Sequence, residues 1–397
     1  MDPRSHRIDS QSLVSNAYEM GIKDSYKVIG MRCPDVMRTV AMSSCRGLRV
    51  AEDASILFYK CVKAAGDGWM NPFGAQHLAF KRAGMILTPV FDGPDVPEEK
   101  KLEQLRRRAV MKSIKDKAEG AVDLLREVTE VTEQEDLKVS EMRLSEELQQ
   151  RIRTCVGPKL SSKLNFRDPF GVKLAMERSI AGWQRQSAPI TEAHKKEAIK
   201  LFELLGLSWI QATGEAEQHC AWLCVHGHVD AVLSEDTDVL AYGTPMLLSK
   251  IDIVEGTFRC IVMKELLEGM KMKMEEWRDL CIMLKCDYNS RCKGFPPDGR
   301  KRRKAVGIGA VGALAMIEKY RRIEEAECAI EDPAPLNYRR CRELLTVPET
   351  MELKRRLAKR VRVDELLQFL NEHEVSMADE TIKERCMGVP IEVKDEE

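Results

Sequence analysis

The chain has no apolar run long enough to cross a membrane among its 397 residues. Net charge is nearly absent as well, −1 from 63 basic and 64 acidic residues, so the molecule as a whole is not a basic nucleic-acid binder. Its 13 cysteines are odd in number and scattered, without a paired framework or zinc-ligand spacing. His219, Cys220 and Cys224 crowd one helix but read as ordinary interior and surface positions. No secretory leader opens the sequence, and free thiols without one read as a reduced, intracellular protein. Internal repeats and low-complexity tracts are missing. So are a Walker-type phosphate loop, a nucleophile elbow and a Rossmann glycine fingerprint. What remains is a globular composition, 44% hydrophobic, with room for one large core plus appendages or two to three modest domains.

The carboxylates carry the chemical signal. Residues 214–243, GEAEQHCAWLCVHGHVDAVLSEDTDVLAYG, place Glu215 and Glu217 at the start of a helix. Asp236 and Asp238 then follow the short buried strand Val229–Leu233. Leu48–Ala51 reads as a strand that runs to Asp53, and Met85–Phe91 as a strand that stops on Asp92. A helix from about Glu275 to Leu284 leads to Asp287. An α/β sheet gathers ligands at the carboxyl ends of its strands. Acids converging there repel one another unless cations neutralise them, and hard oxygen donors suit Mg²⁺ or Mn²⁺. Two such ions about 4 Å apart activate water and stabilise both the attacking and the leaving oxygen, which points to phosphodiester hydrolysis.

Charge is blocky elsewhere. Residues 99–118 hold eight bases against three acids, 119–147 ten acids against three bases, and 151–186 eight bases against two acids. This pattern fits either a solvated helical insertion with salt-bridged faces or a charged cap whose basic blocks face phosphates. The boundaries read as a flexible extension at 1–19, a first nuclease block at 20–98, and a charged helical cap at 99–189. An internal nuclease block at 190–285, a duplex-binding region at 286–380 and an acidic tail at 381–397 complete the series. Gly307-Ile308-Gly309 forms a glycine hairpin before a helix, whose N–H groups can grip a phosphate. The preceding run Arg300, Lys301, Arg302, Arg303 and Lys304 makes it a candidate duplex anchor, and can also serve as a nuclear-import signal.

These motifs, in this order, resemble the flap endonuclease family, the structure-specific 5′ nucleases related to the xeroderma pigmentosum group G protein. RVAEDAS, PVFDGP, the 214–243 block, DLCIMLKCDY and DELLQFLNEHEVS carry the resemblance, which covers roughly residues 20–385. It implies an α/β, PIN-like nuclease core with a twisted, mainly parallel sheet. A helical cap insertion and a carboxyl-terminal helix–two-turn–helix region belong to the same fold. It implies two Mg²⁺ ions, replaceable by Mn²⁺, held by Asp53, Asp92, Glu215, Glu217, Asp236, Asp238 and Asp287. K⁺ is expected at the hairpin. Lys100 and Arg107 match a basic pair that steers the scissile phosphate, and Tyr59 matches an aromatic on which a nucleobase stacks. Gly21, after Met20, matches a residue close to the active site. The implied partner of this monomeric, nuclear enzyme of DNA replication and repair is branched DNA with a 5′ single-stranded arm. Within the superfamily the alternatives are a 5′ exonuclease or a junction resolvase, and outside catalysis a weakly active DNA-binding relative.

The chain departs from its relatives in several places. Glu52 replaces an apolar residue in a central strand, where an unpaired buried charge costs several kcal/mol. The segment between Asp53 and Asp92 is shorter than usual and 119–186 is longer. Ala310-Val311-Gly312 stands where relatives have proline and basic residues. No Gln-x-x-apolar-x-x-aromatic-aromatic peptide for a sliding clamp is recognisable.

Overall fold

Strands with apolar faces and acidic ends assemble into one large sheet. In the computed structural model the described residues are 21–22, 24–133, 142–294, 306–357 and 360–386. Among them β1 (Arg38–Ala41), β2 (Arg49–Asp53), β3 (Ile86–Phe91), β4 (Trp209–Gln211), β5 (Ala231–Leu233), β6 (Met246–Asp252) and β7 (Thr257–Val262) precede a two-residue pair, β8 (Lys293–Gly294) and β9 (Val306–Gly307). β10 (Lys354–Arg356) comes last, and the large sheet runs β1-β7-β6-β5-β2-β3-β4-β10. From β6 to β4 neighbouring strands are parallel. The flanking pairs are antiparallel, giving the mainly parallel α/β sheet that the sequence predicts.

Each face has its own packing. Ala51, Val90, Ile210, Val232 and Leu247 face a core completed by the helices Ala216–Val225, Met274–Leu284 and Ala310–Tyr320. The opposite face is aromatic, with Phe73, Phe91 and Phe202 in contact and Trp209 edge-on to Phe91. Successive residues of a strand point to opposite faces, so Glu52 turns towards the aromatic side while Asp53 does not. Glu52 is completely buried, but it is not alone. Its Oε1 lies 2.8 Å from Nε2 of His77, on the helix Met70–Ala83, and His77 Nδ1 lies 2.7 Å from the Phe73 carbonyl oxygen. The carbonyl only accepts, so Nδ1 carries a proton, and one further proton is shared between Nε2 and Glu52. This partner removes the unpaired-charge penalty expected from the sequence.

The described residues fall into two compact units. One contains everything up to Cys61, Gly68–Glu103 and the chain from Thr191. The other contains Val62–Asp67 and Gln104–Ile190. It is helical, with its own core of Leu124, Val128, Leu148, Ile152, Val172 and Met176. Ser145 and Asp168 cap its helices Glu146–Val156 and Pro169–Ser187 through the backbone N–H groups of Leu148 and Gly171. Some of its blocky charge is paired internally, as in the Arg151–Glu127 fork at 2.6 and 2.7 Å, and Lys117 stacks over Trp183.

Candidate active site

The acids meet at the carboxyl ends of the parallel strands, and local structure explains how each arrives. Asp53 ends β2, and one carboxylate oxygen accepts the Ile56 N–H at 3.2 Å while the other accepts the Ser234 hydroxyl at 3.1 Å. Ser234 directly follows β5 and also accepts the Asp236 N–H, so one hydroxyl ties the two strand ends together. Asp236 in turn accepts the Asp238 N–H at 2.8 Å. Asp92 follows β3 and accepts the Ala216 N–H at 2.8 Å, which caps the helix that displays Glu217. Gly93 makes this approach possible, because a Cβ there would stand 2.1 Å from the Ala212 carbonyl oxygen. Gly21 is equally constrained at φ +83°, where a Cβ would stand 2.0 Å from Asp236 Oδ1.

Six of these acids are buried, and Asp92 stands at the exposed rim. Glu217, Asp236 and Asp238 each offer an oxygen within 4.8 Å of the others. Burial pushes the carboxyls of Asp53, Asp236 and Asp238 well above the usual carboxylate range, and their acidic neighbours add to it. Glu215 is pushed up to about 8, first by burial and then by Glu217, against the opposing charge of Lys100. The Lys100 ammonium lies 2.9 Å from Glu217, 3.3 Å from Glu215 and 3.5 Å from Asp287. Burial would release its proton, but these three carboxylates outweigh it and hold the amine charged. The single charge of Lys100 is too little for this many acids. Among the described residues, Asp238 keeps both oxygens, and Glu215 keeps Oε1, buried without hydrogen-bond partners. An all-oxygen donor set with orphaned carboxylate atoms fits a hard divalent cation.

The remaining sequence candidates are more dispersed. Tyr59 is half-buried on the helix Ala54–Ala65 that Asp53 starts. Arg107 lies in the second unit, half-buried, seven residues beyond Lys100 on the helix Glu98–Thr132. Gly307 ends β9, and Gly309 precedes the helix Ala310–Tyr320 without a side-chain cap. A Cβ on either glycine would meet nothing within 4 Å, so the backbone there is open to a ligand. Arg300, Lys301, Arg302, Arg303 and Lys304 lie outside the described residues, as do the extension 1–19 and the acidic tail beyond Cys386.

Sequence reasoning missed four groups. Ser234 was visible only as a small polar residue at a strand end. Tyr288, directly after Asp287, donates a hydrogen bond to Glu215 Oε2, and Tyr242 lies 2.8 Å from the Tyr288 hydroxyl. Glu235, directly before Asp236, pairs with Lys60 at 2.9 Å and accepts the Ile251 N–H, and so is committed elsewhere.

Comparison with known proteins agrees with this geometry. The XPG I-region family matches residues 206–287, which include Glu215, Glu217, Asp236, Asp238 and Asp287. Flap endonuclease 1 of Enterocytozoon bieneusi is 25% identical over 345 residues, covering 82% of this chain and 77% of its own. Flap endonuclease 1 of Komagataella phaffii is 34% identical over 185 residues, 43% of this chain and 46% of its own. In three dimensions the catalytic core of Rad2, solved in complex with a DNA substrate, shares the fold with a TM-score of 0.57 at 16% identity, covering 94% of this chain and all of that one. Residues 206–287 thus carry an XPG I-region, and over most of its length the chain is similar to flap endonuclease 1.

Proposed function

We propose that the protein is a Mg²⁺-dependent, structure-specific 5′ flap endonuclease acting on branched DNA. The observation that carries this reading is the buried group of acids at the strand ends, whose charge exceeds what Lys100 neutralises. Two Mg²⁺ ions, or Mn²⁺ in their place, supply Lewis acidity at the phosphate and a nucleophilic water. Asp53, Asp92, Glu215, Glu217, Asp236, Asp238 and Asp287 hold them. Ser234 keeps Asp53 and the Asp236 backbone in register. Lys100 and Arg107 set positive charge against the phosphate as negative charge builds on it. Tyr59 offers a ring for a nucleobase. Gly307 and Gly309 present open backbone to a duplex phosphate and to K⁺, and the bases Arg300–Lys304, which precede them in the sequence, add positive charge. Recognition of this kind reads backbone charge and shape rather than base edges.

We further infer, from the similarity to flap endonuclease 1 and from the basic run, that the protein works as a monomer in nuclear DNA replication and repair. No clamp-docking peptide supports a sliding-clamp partner. The discriminating experiment is cleavage of three labelled DNAs, a 5′ flap, a nicked duplex and a four-way junction, at equal concentration in Mg²⁺. Preferential incision at the flap base supports this reading. Preferential, paired incision of the four-way junction replaces it with a resolvase, and digestion of the nicked duplex from its 5′ end replaces it with an exonuclease.

A further inference from the structure

Glu215 occupies an unusual position among the acids. It stands at the N-cap of the helix Ala216–Val225, yet its side chain does not cap that helix. The Asp92 carboxylate takes the Ala216 N–H instead. The Glu215 carboxylate is thus left to be oriented by something else. Its two oxygens have different surroundings. Oε2 accepts the Tyr288 hydroxyl and lies 3.3 Å from the Lys100 ammonium. Oε1 is buried and has no hydrogen-bond partner among the described residues.

With Glu215 ionised, as a cation ligand must be, counting protons fixes the direction of this network. A hydroxyl has one proton to give, and an ionised carboxylate has none. Tyr288 spends its proton on Glu215, so the contact between Tyr242 and Tyr288 runs from the Tyr242 hydroxyl to the Tyr288 oxygen. Both rings are buried, and a phenol keeps its proton at neutral pH. Tyr242 lies four residues beyond Asp238, and Tyr288 follows Asp287 directly. A single chain of two hydrogen bonds therefore joins three of the acid-bearing segments.

We propose that Tyr288, oriented by Tyr242, is a positioning residue that commits Glu215 to one-oxygen coordination through Oε1 and so selects the size of the cation. This rests on the acids being the cation site. A small ion such as Mg²⁺ or Mn²⁺ demands near-octahedral geometry and takes carboxylates through single oxygens. Ca²⁺ is larger and accepts carboxylates through both oxygens in looser geometry. With Oε2 engaged by the Tyr288 hydroxyl and, more distantly, by Lys100, two-oxygen coordination is disfavoured for Glu215. Removing the hydroxyl opens it.

The test is direct binding of the metal alone, without DNA, to the full-length protein by titration calorimetry. Mn²⁺ and Ca²⁺ are each titrated into wild type, Tyr288→Phe and Tyr242→Phe. In Tyr288→Phe the Mn²⁺ Kd rises about tenfold or more, the scale on which a partner of a metal ligand acts. The Ca²⁺ Kd changes much less, so the preference for Mn²⁺ shrinks. Tyr242→Phe gives the same trend at smaller size, because Tyr288 still donates but loses its anchor. Equal weakening for both ions, or no change in either, overturns the inference while leaving the cation site standing. Absence of Mn²⁺ binding in the wild type overturns both. Metal-free unfolding curves of the variants separate these outcomes from misfolding.

Discussion

The larger unit holds two groups of acids that burial alone does not tell apart. Asp279 is as buried as Asp236, but the Arg342 guanidinium grips it with two hydrogen bonds of 2.6 Å, and the Ile323 N–H adds a third. The same guanidinium forks onto Glu324 at 2.5 and 2.8 Å. In that group each acid is satisfied by a cation of the chain itself, and its role is to pin the helix Met274–Leu284 to the segments 323–326 and 338–344. Among the described residues, Glu217, Asp236 and Asp238 lie together without such an arginine, and both Asp238 oxygens are orphaned. The difference teaches that the balance between buried charge and its internal partners, rather than burial, separates a ligand site from a structural brace. Glu52 falls on the structural side, through His77.

Neutralising one acid of the unbalanced group sharpens the contrast most. Asp236→Asn is expected to lower cleavage of flap DNA by about 100- to 1,000-fold, the scale of losing a group that stabilises the reacting charge. The same change relieves repulsion, so unfolding of the variant in chelator should show a gain of about 0.5–2 kcal/mol over wild type. A loss of stability there would put Asp236 with the braces. The next largest effect belongs to the buried Glu52–His77 pair. His77→Ala leaves a carboxyl with no partner and should cost about 3–5 kcal/mol by denaturant unfolding. The double change Glu52→Leu with His77→Phe should return most of it, since an apolar pair of similar volume replaces the ion pair.

Arg342→Ala should destabilise by a smaller amount, about 2–3 kcal/mol, because Arg342 keeps 30% of its side chain in solvent. Cleavage per folded molecule should stay within about twofold if that cluster only braces, on the usual additivity of distant sites. The smallest effect is a pH dependence. Hydrogen bonding to Arg342 lowers Glu324 from 4.5 to about 2. A carboxyl depressed in the folded state adds stability above its unfolded pKa, and that contribution fades as pH falls through the folded one. Melting temperatures of wild type and Glu324→Gln should therefore differ most above pH 4.5 and converge towards pH 2. A constant gap across that window would contradict this assignment.

Much of the central sheet was legible because its signals are local. β2, β3 and β5 are short apolar runs that end on or just before an acid, and both the run and its stop can be read in a single window. The edge strands were not. β1 reads RTVA and β10 reads KRR, mostly exposed, and they are strands only because β7 and β4 offer them backbone partners. The same limit applies at the site. All seven acids stand at element ends, where pattern marks them, but the partners that orient them come from distant segments. His77 lies 25 residues from Glu52, and Tyr288 lies 73 from Glu215. No local pattern encodes such meetings. Tyr288 even sits beside a recognised acid, yet nothing in the sequence says that its hydroxyl reaches a different one.

The central claim is that the unbalanced acids exist to hold catalytic cations. It is tested most directly by following a 5′-labelled flap DNA with wild type and Asp236→Ala, each in Mg²⁺ and in chelator. The account predicts incision at the flap base by wild type in Mg²⁺ alone, with Asp236→Ala binding the DNA but leaving it intact. Incision that persists in chelator, or that survives in the variant, would contradict it.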